Sequence, residues 1–392
     1  MIRSPVEKAS PGTAAGSHRD TAVDTLRSTV IVLVVLLHAA LAYASFSQYD
    51  PADYIHATAP VVDSARWPAV DIPITFIDLF GMPLLFLISG LFVVPALERK
   101  GSGGFFRSRL MRLGAPFVAA AFVLSPIAFW PGYLLSTRDS SIPYWIRFFT
   151  TDGWMIGAPW FLWVLLSFDG IAALLHRLAA GFTAWLRRSA APLILLAAAS
   201  AVFVSLSLFF SPYAWLRDLG PFDVEYVRLP LFFGYFLIGM ALGAGGRAAD
   251  WPKRWGGWLA GGMAAFVAFL FLDSNSANLA MKAAAWLAYA AGCAGLSLGL
   301  FGAYRAFVHP RNRIIASLNA NSFGIYIFHY PIGHWLQYAL LSSPLPAPAK
   351  FGLVFAGALL LSWGISILFR SLWKRRPYRR MEATGAVLRP GA

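Results

Sequence analysis

The chain has 392 residues, 58% of them hydrophobic and only 13% charged, with a net charge of +14 and a mean hydropathy of +0.62. Soluble domains are about 45–50% apolar and about 25% charged, so this composition excludes a cytosolic globular enzyme and a disordered chain and points to a polytopic membrane protein. One cysteine, Cys293, excludes an internal disulfide and a cysteine-based metal site.

Residues 1–20, rich in Ser, Pro, Gly and charge, read as a disordered tail. Crossing the hydrocarbon core takes about 20 mostly apolar residues in a helix. Ten stretches qualify: Leu26–Phe46, Ile74–Leu97, Leu113–Leu135, Trp160–Leu178, Ala191–Phe210, Val227–Ala244, Trp255–Leu272, Ala280–Tyr304, Ser317–Leu341 and Phe351–Leu372. The fourth is the weakest, because it carries Asp169. The expected fold is an all-α transmembrane bundle, one domain over residues 21–376, followed by a disordered basic tail over 377–392. Ala42-Tyr43-Ala44 follows an apolar run as a signal-peptidase site would. The long basic region before that run and His38 within it argue against cleavage. Small residues repeated in the seventh and eighth spans read as close helix packing.

Charge orients the spans. With the N-terminus inside, the tails and residues 98–112, 176–190, 246–254 and 305–313 hold 25 of the 32 Lys and Arg. The outer segments hold seven: Arg66, Arg138, Arg147, Arg217, Arg228, Lys282 and Lys350. They also hold ten acids, among them Asp50, Asp53, Asp63, Asp71, Asp218, Asp223 and Glu225. This is the positive-inside asymmetry. It places both termini in the cytoplasm and explains the basic charge without nucleic acid.

Polar side chains within a span are costly and suggest function. Arg27 and His38 in the first span are eleven residues apart, about 20° past three full turns, so they share a face. The rise between them is about 16 Å, which puts His38 near mid-membrane. An imidazole with an unperturbed pKa of about 6.5 can take a proton near neutral pH. The plain alternative is that Arg27 anchors topology and His38 bonds a neighbouring helix. In the ninth span Asn319, Ser322, Tyr326 and His329 follow at spacings of 3, 4 and 3, on one face. They fit a shared cavity with His38 or interhelical hydrogen bonding equally well. Arg109 and Arg112, in the most basic inner loop, would share a face where the third helix begins. Arginine forks bind phosphate, and basic loops also contact lipid headgroups. Asp78 and Asp169 are intramembrane acids whose partners the sequence does not identify. No Walker loop, dinucleotide fingerprint or metal-ligand spacing is present, so no tightly bound cofactor or metal is expected.

Together these residues resemble the acyltransferase-3 family of integral membrane acyltransferases, from about Asp20 to Arg376. Asp24-Thr25-Leu26-Arg27, then ten residues, then His38, is similar to its Arg-x10-His signature. Phe86-Leu87-Ile88-Ser89-Gly90 resembles its second-helix motif, and Arg109-Leu-Met-Arg112 with Gly114-Ala115-Pro116 its R-x-x-R motif. Trp160-Phe161-Leu162 is similar to its Leu-Trp-Phe-Leu element without the usual leading residue. Asn319 through Pro331 resembles its late Ser-x-x-Ile-Tyr-x-x-His-x-Pro element. Met82-Pro83 and the compact size look more like the branch that succinylates periplasmic glucans. Only about 16 residues follow Arg376, so the fused extracytoplasmic hydrolase-like domain of the large O-antigen acetylases is not expected.

The resemblance implies transfer of an acyl group, acetyl or succinyl, from a cytoplasmic acyl-CoA-type donor to a hydroxyl of an extracytoplasmic carbohydrate, in the bacterial inner membrane. It implies His38 as the base, with Arg27, Tyr326 or His329 stabilising developing charge, and Arg109 and Arg112 holding donor phosphates. Two other classes compete: a secondary transporter or flippase of a small anionic or glycan substrate, which would normally show inverted repeats, and a non-catalytic scaffold, which leaves the polar stripes unexplained.

Overall fold

The computed structural model describes residues 20–137, 141–179, 181–217, 219–246, 254–275, 278–308 and 312–383, with the side chains of 373–383 left aside. Residues 1–19 and 384–392 of the two tails, Arg138, Asp218 and most of the 246–254 loop lie outside the described residues. Helices occupy the place of every expected span: α1 Thr21–Leu41, α2 Asp71–Gly90, α3 Val93–Leu135, α4 Trp160–Leu178, α5 Ala191–Phe209, α6 Leu229–Ala244, α7 Trp255–Ser274, α8 Leu279–Phe307, α9 Arg313–Leu340 and α10 Ala347–Ala383. Eight of them are long and apolar enough to cross a membrane. The other two are α6, which has 16 residues, and α9, which has 28 but carries the polar stripe. The fold is thus an all-α polytopic bundle. Its only described strands, Trp215–Leu216 and Val224–Glu225, pair antiparallel ahead of α6.

Local chemistry sets the helix starts. The Asp20 carboxylate accepts from the Val23 amide at 3.2 Å, so α1 begins five residues before the apolar run. Asn278 and Asn312 cap α8 and α9 in the same way, accepting from Met281 and Ile314 at 2.9 and 2.8 Å. The backbone of α10 continues past Arg376, to Ala383.

The second and third spans depart from the expected boundaries. Helix α2 stops at Gly90, its 20 residues spanning about 30 Å, and α3 begins at Val93. Val93, Val94 and Leu97 extend the apolar run since they are fully buried within the protein. The basic segment 98–112 is a continuation of α3 and not a loop. It bends at Gly101, where φ is 68°, a conformation glycine reaches without steric cost. Two π-helical turns follow, Leu110–Gly114 and Ala120–Leu124.

Buried aromatic rings form the centre of the bundle. Phe86 on α2 meets Phe161, Phe168 and Phe232 with centroids 4.7, 5.2 and 5.3 Å apart. Leu360, Leu361, Leu368 and Phe369 on α10 are exposed, as lipid-facing positions are. The small residues of α7 and α8 do pack closely: a Cβ on Gly262 would stand 2.6 Å from the Leu296 nitrogen.

Candidate active site

Helices α1 and α9 run together, and polar groups bridge them along their length. At the end bearing most of the basic residues, the Asn319 amide donates to Thr25 Oγ1 at 2.8 Å, and Ser28 Oγ donates to Asn319 Oδ1. Tyr304 reaches Thr29 Oγ1 from α8 at 3.1 Å. Farther along, the His329 ring stands beside that of His38, centroids 5.1 Å apart.

The histidine tautomers follow from their partners. His38 Nδ1 lies 2.9 Å from the Val34 carbonyl oxygen. A carbonyl can only accept, so Nδ1 carries the proton and Nε2 keeps its lone pair. His329 Nδ1 likewise donates to Tyr326 O at 2.8 Å. Its Nε2 lies 3.4 Å from His38 Nδ1 and has only a lone pair to offer. His329 is 1% exposed, whereas His38 is only half-buried. No described residue makes a hydrogen bond to His38 Nε2. The His38–His329 pair therefore presents His38 Nε2 as an open basic nitrogen within the bundle, backed by a buried second imidazole.

Three neighbours complete the cluster, and sequence reasoning missed them. Tyr330 meets the His38 ring edge-on at 5.1 Å and the His334 ring at 4.1 Å. His334, itself buried, donates through Nδ1 to Ala128 O at 3.2 Å. Gln337 Nε2 donates to the carbonyls of His38 and Ala39 at 3.0 and 3.4 Å. The amides of Ala42 and Tyr43 both turn to Ala40 O, so Gln337 serves two helix-end carbonyls that the backbone leaves unbonded. The signal was available, since 326, 330, 334 and 337 continue the helical spacing of the stripe.

The other candidates divide. Tyr326 lies 6.0 Å from the His329 ring centroid, but its hydroxyl donates to Ala158 O, so its proton is committed to the segment before α4. Arg27 keeps the face it shares with His38 on an unbroken α1. Its guanidinium folds back to Asp24 at 3.1 Å, so it is not among the groups that meet the histidines. Arg109 and Arg112 do not form one exposed pair. Arg109 turns inward, its Nε 3.3 Å from Asp169 Oδ2 and its side chain 18% exposed, while Arg112 is exposed. The π turn from Leu110 to Gly114, with its wider spacing, runs between them.

Asp78 pairs at the opposite end of the bundle. Arg228, 1% exposed, donates to Asp78 Oδ1 at 3.0 Å, to Glu225 Oε2 at 2.8 Å and to the Tyr289 hydroxyl oxygen at 2.6 Å. Burial pushes the Glu225 carboxyl up, against the opposing pull of Arg228. Lys350 and Asp63, both buried, pair at 2.8 Å. His56, Trp154, Arg217 and Asp223 line a small cavity at this end.

Among the described residues no cluster of metal-ligating side chains occurs. No curated protein and no solved structure matches the chain. The acyltransferase-3 model, described as an acyltransferase domain, matches residues 20–367. That span includes the paired histidines, the R-x-x-R segment and nine of the ten helices in full, and the chain belongs to this family of membrane acyltransferases.

Proposed function

We propose that the protein moves an acetyl or succinyl group from a cytoplasmic acyl-CoA-type donor to a hydroxyl of an extracytoplasmic carbohydrate, a glucan in the branch it most resembles. The observation that carries this reading is the open Nε2 of His38. A thioester requires a base for the incoming hydroxyl and an electrostatic partner for the developing oxyanion. His38 Nε2 takes the proton as the hydroxyl oxygen bonds to the thioester carbonyl carbon. The tetrahedral intermediate then collapses, the carbon–sulfur bond breaks, and the thiolate takes the proton back from the imidazolium. The products are an ester and a free thiol, and His38 returns to its neutral state.

His329 supports the base from behind, since its Nδ1–H is held by backbone carbonyls. Arg109 and Arg112 take the donor phosphates from the basic end, as arginine forks do. The positive-inside asymmetry favours a cytoplasmic location for the basic end and both termini, in a bacterial inner membrane.

Purified protein should hydrolyse acetyl-CoA or succinyl-CoA slowly without a carbohydrate, water replacing the hydroxyl. His38→Gln cannot take up a proton at neutral pH and should lose about two to four orders of magnitude in rate, as should His38→Ala. Binding of coenzyme A should persist in both. Wild-type hydrolysis by His38→Gln at equal folded yield would refute the base.

A further inference from the structure

Asp169 lies in the middle of α4 and is 0% exposed. Neither of its carboxylate oxygens receives a hydrogen bond among the described residues. Such a group is expensive inside a protein and more so inside a membrane. An apolar residue of similar size would pack there at lower cost. Its one ion pair among the described residues is with Arg109, at 3.3 Å, through Nε.

The geometry of that pair is specific. Helices α3 and α4 approach closely here: a Cβ on Gly170 would stand 3.2 Å from the Phe106 ring. Arg109 lays its guanidinium over the Phe105 ring, 5.2 Å from the centroid. Its Nε edge thus faces the buried acid. Its two terminal nitrogens make no hydrogen bond to any described residue, and neither is a buried atom without a partner. They are at the accessible side, one π turn from the exposed Arg112.

We propose that Asp169 is a positioning residue for the donor: it holds Arg109 by one edge so that the terminal nitrogens, with Arg112, face the phosphates of coenzyme A. This rests on the donor role given above to the two arginines. The carboxylate does not touch the donor. It neutralises the half-buried guanidinium and fixes its direction, so that less ordering is needed when phosphate arrives.

The test is a double-mutant cycle on the full chain in nanodiscs, with coenzyme A and adenosine 3′,5′-bisphosphate as probes by calorimetry, and acetyl-CoA hydrolysis alongside. Asp169→Asn should weaken both probes roughly tenfold, the scale of ordering one long side chain that is no longer held in place. The loss should fall on KM for acetyl-CoA more than on kcat. Arg109→Gln should weaken the probes at least as much. The double variant, in which no buried charge is left unpaired, should bind no worse than Arg109→Gln alone. A purely structural Asp169 predicts unchanged probe affinity in folded Asp169→Asn and a KM that does not move. Asp169→Asn with wild-type affinity, beside a weakened Arg109→Gln, would overturn this inference and spare the donor site. Wild-type affinity in Arg109→Gln would overturn both. If Asp169→Asn does not fold, the double variant decides: affinity below that of Arg109→Gln contradicts the proposal, and equal affinity supports it.

Discussion

An imidazole serves as a base only while one nitrogen is kept open and the other is held. Val34 holds His38, and Gln337 holds the turn from which His38 projects. Gln337→Leu keeps the volume but leaves two helix-end carbonyls without a donor, at a cost of about 1–3 kcal/mol. Turnover should fall with the thermal midpoint, while affinity for coenzyme A stays near wild type, because the donor arginines lie on α3. Unchanged turnover in Gln337→Leu would show that the cap does not position His38. His38 and the stripe from Asn319 to His329 were legible in the sequence, since polar residues stand out in an apolar helix. Asp169 was legible as an oddity, but its partner was not: Arg109 is 60 residues away, and nothing local links them. Arg27 shows the opposite failure. Helical spacing gave its face correctly, but a flexible side chain with Asp24 three residues before it takes the nearer partner.

Hydropathy located every span-length helix, missed the short ones at Tyr144–Thr150 and Phe182–Leu186, and misplaced some ends. A run of apolar residues does not distinguish lipid from protein interior, so the second span seemed to reach Leu97 when its helix stops at Gly90. The family-like segment Phe86–Gly90 has a packing role visible atom by atom. A Cβ on Gly90 would stand 2.1 Å from Phe236 O, and one on Gly239 would stand 2.1 Å from Leu87 O. These are backbone atoms and cannot turn aside, so α2 and α6 must separate. Gly90→Ala should lower folded yield and thermal midpoint, by about 1–3 kcal/mol or more. Its neighbour is a control: Ser89 is half-buried and donates only to its own helix, to Leu85 O at 2.8 Å. Ser89→Ala should fold normally. A Gly90→Ala protein as stable as wild type would mean that the two helices have slack.

At the scale of the molecule, two ends differ in chemistry and one cluster of rings lies between them. Arg305 meets Asp20 at 2.7 Å at the basic end; at the other, buried Arg228 ties the segment before α6 to Asp78 on α2, and the buried Lys350–Asp63 pair ties α10 to the segment between α1 and α2. The histidines lie along the α1–α9 contact, between the basic end and the end where Arg228 meets Asp78. The proposed transfer across the membrane plane would have its chemistry at that one cluster. The measurement that bears most directly on it is mass spectrometry of envelope carbohydrates from cells carrying the wild-type chain, no chain, or His38→Gln at equal membrane abundance. The account predicts a carbohydrate whose acyl substituent is present only with the wild type, and whose mass names both the group and its carrier. Envelope carbohydrates with the same acylation in all three strains would contradict it.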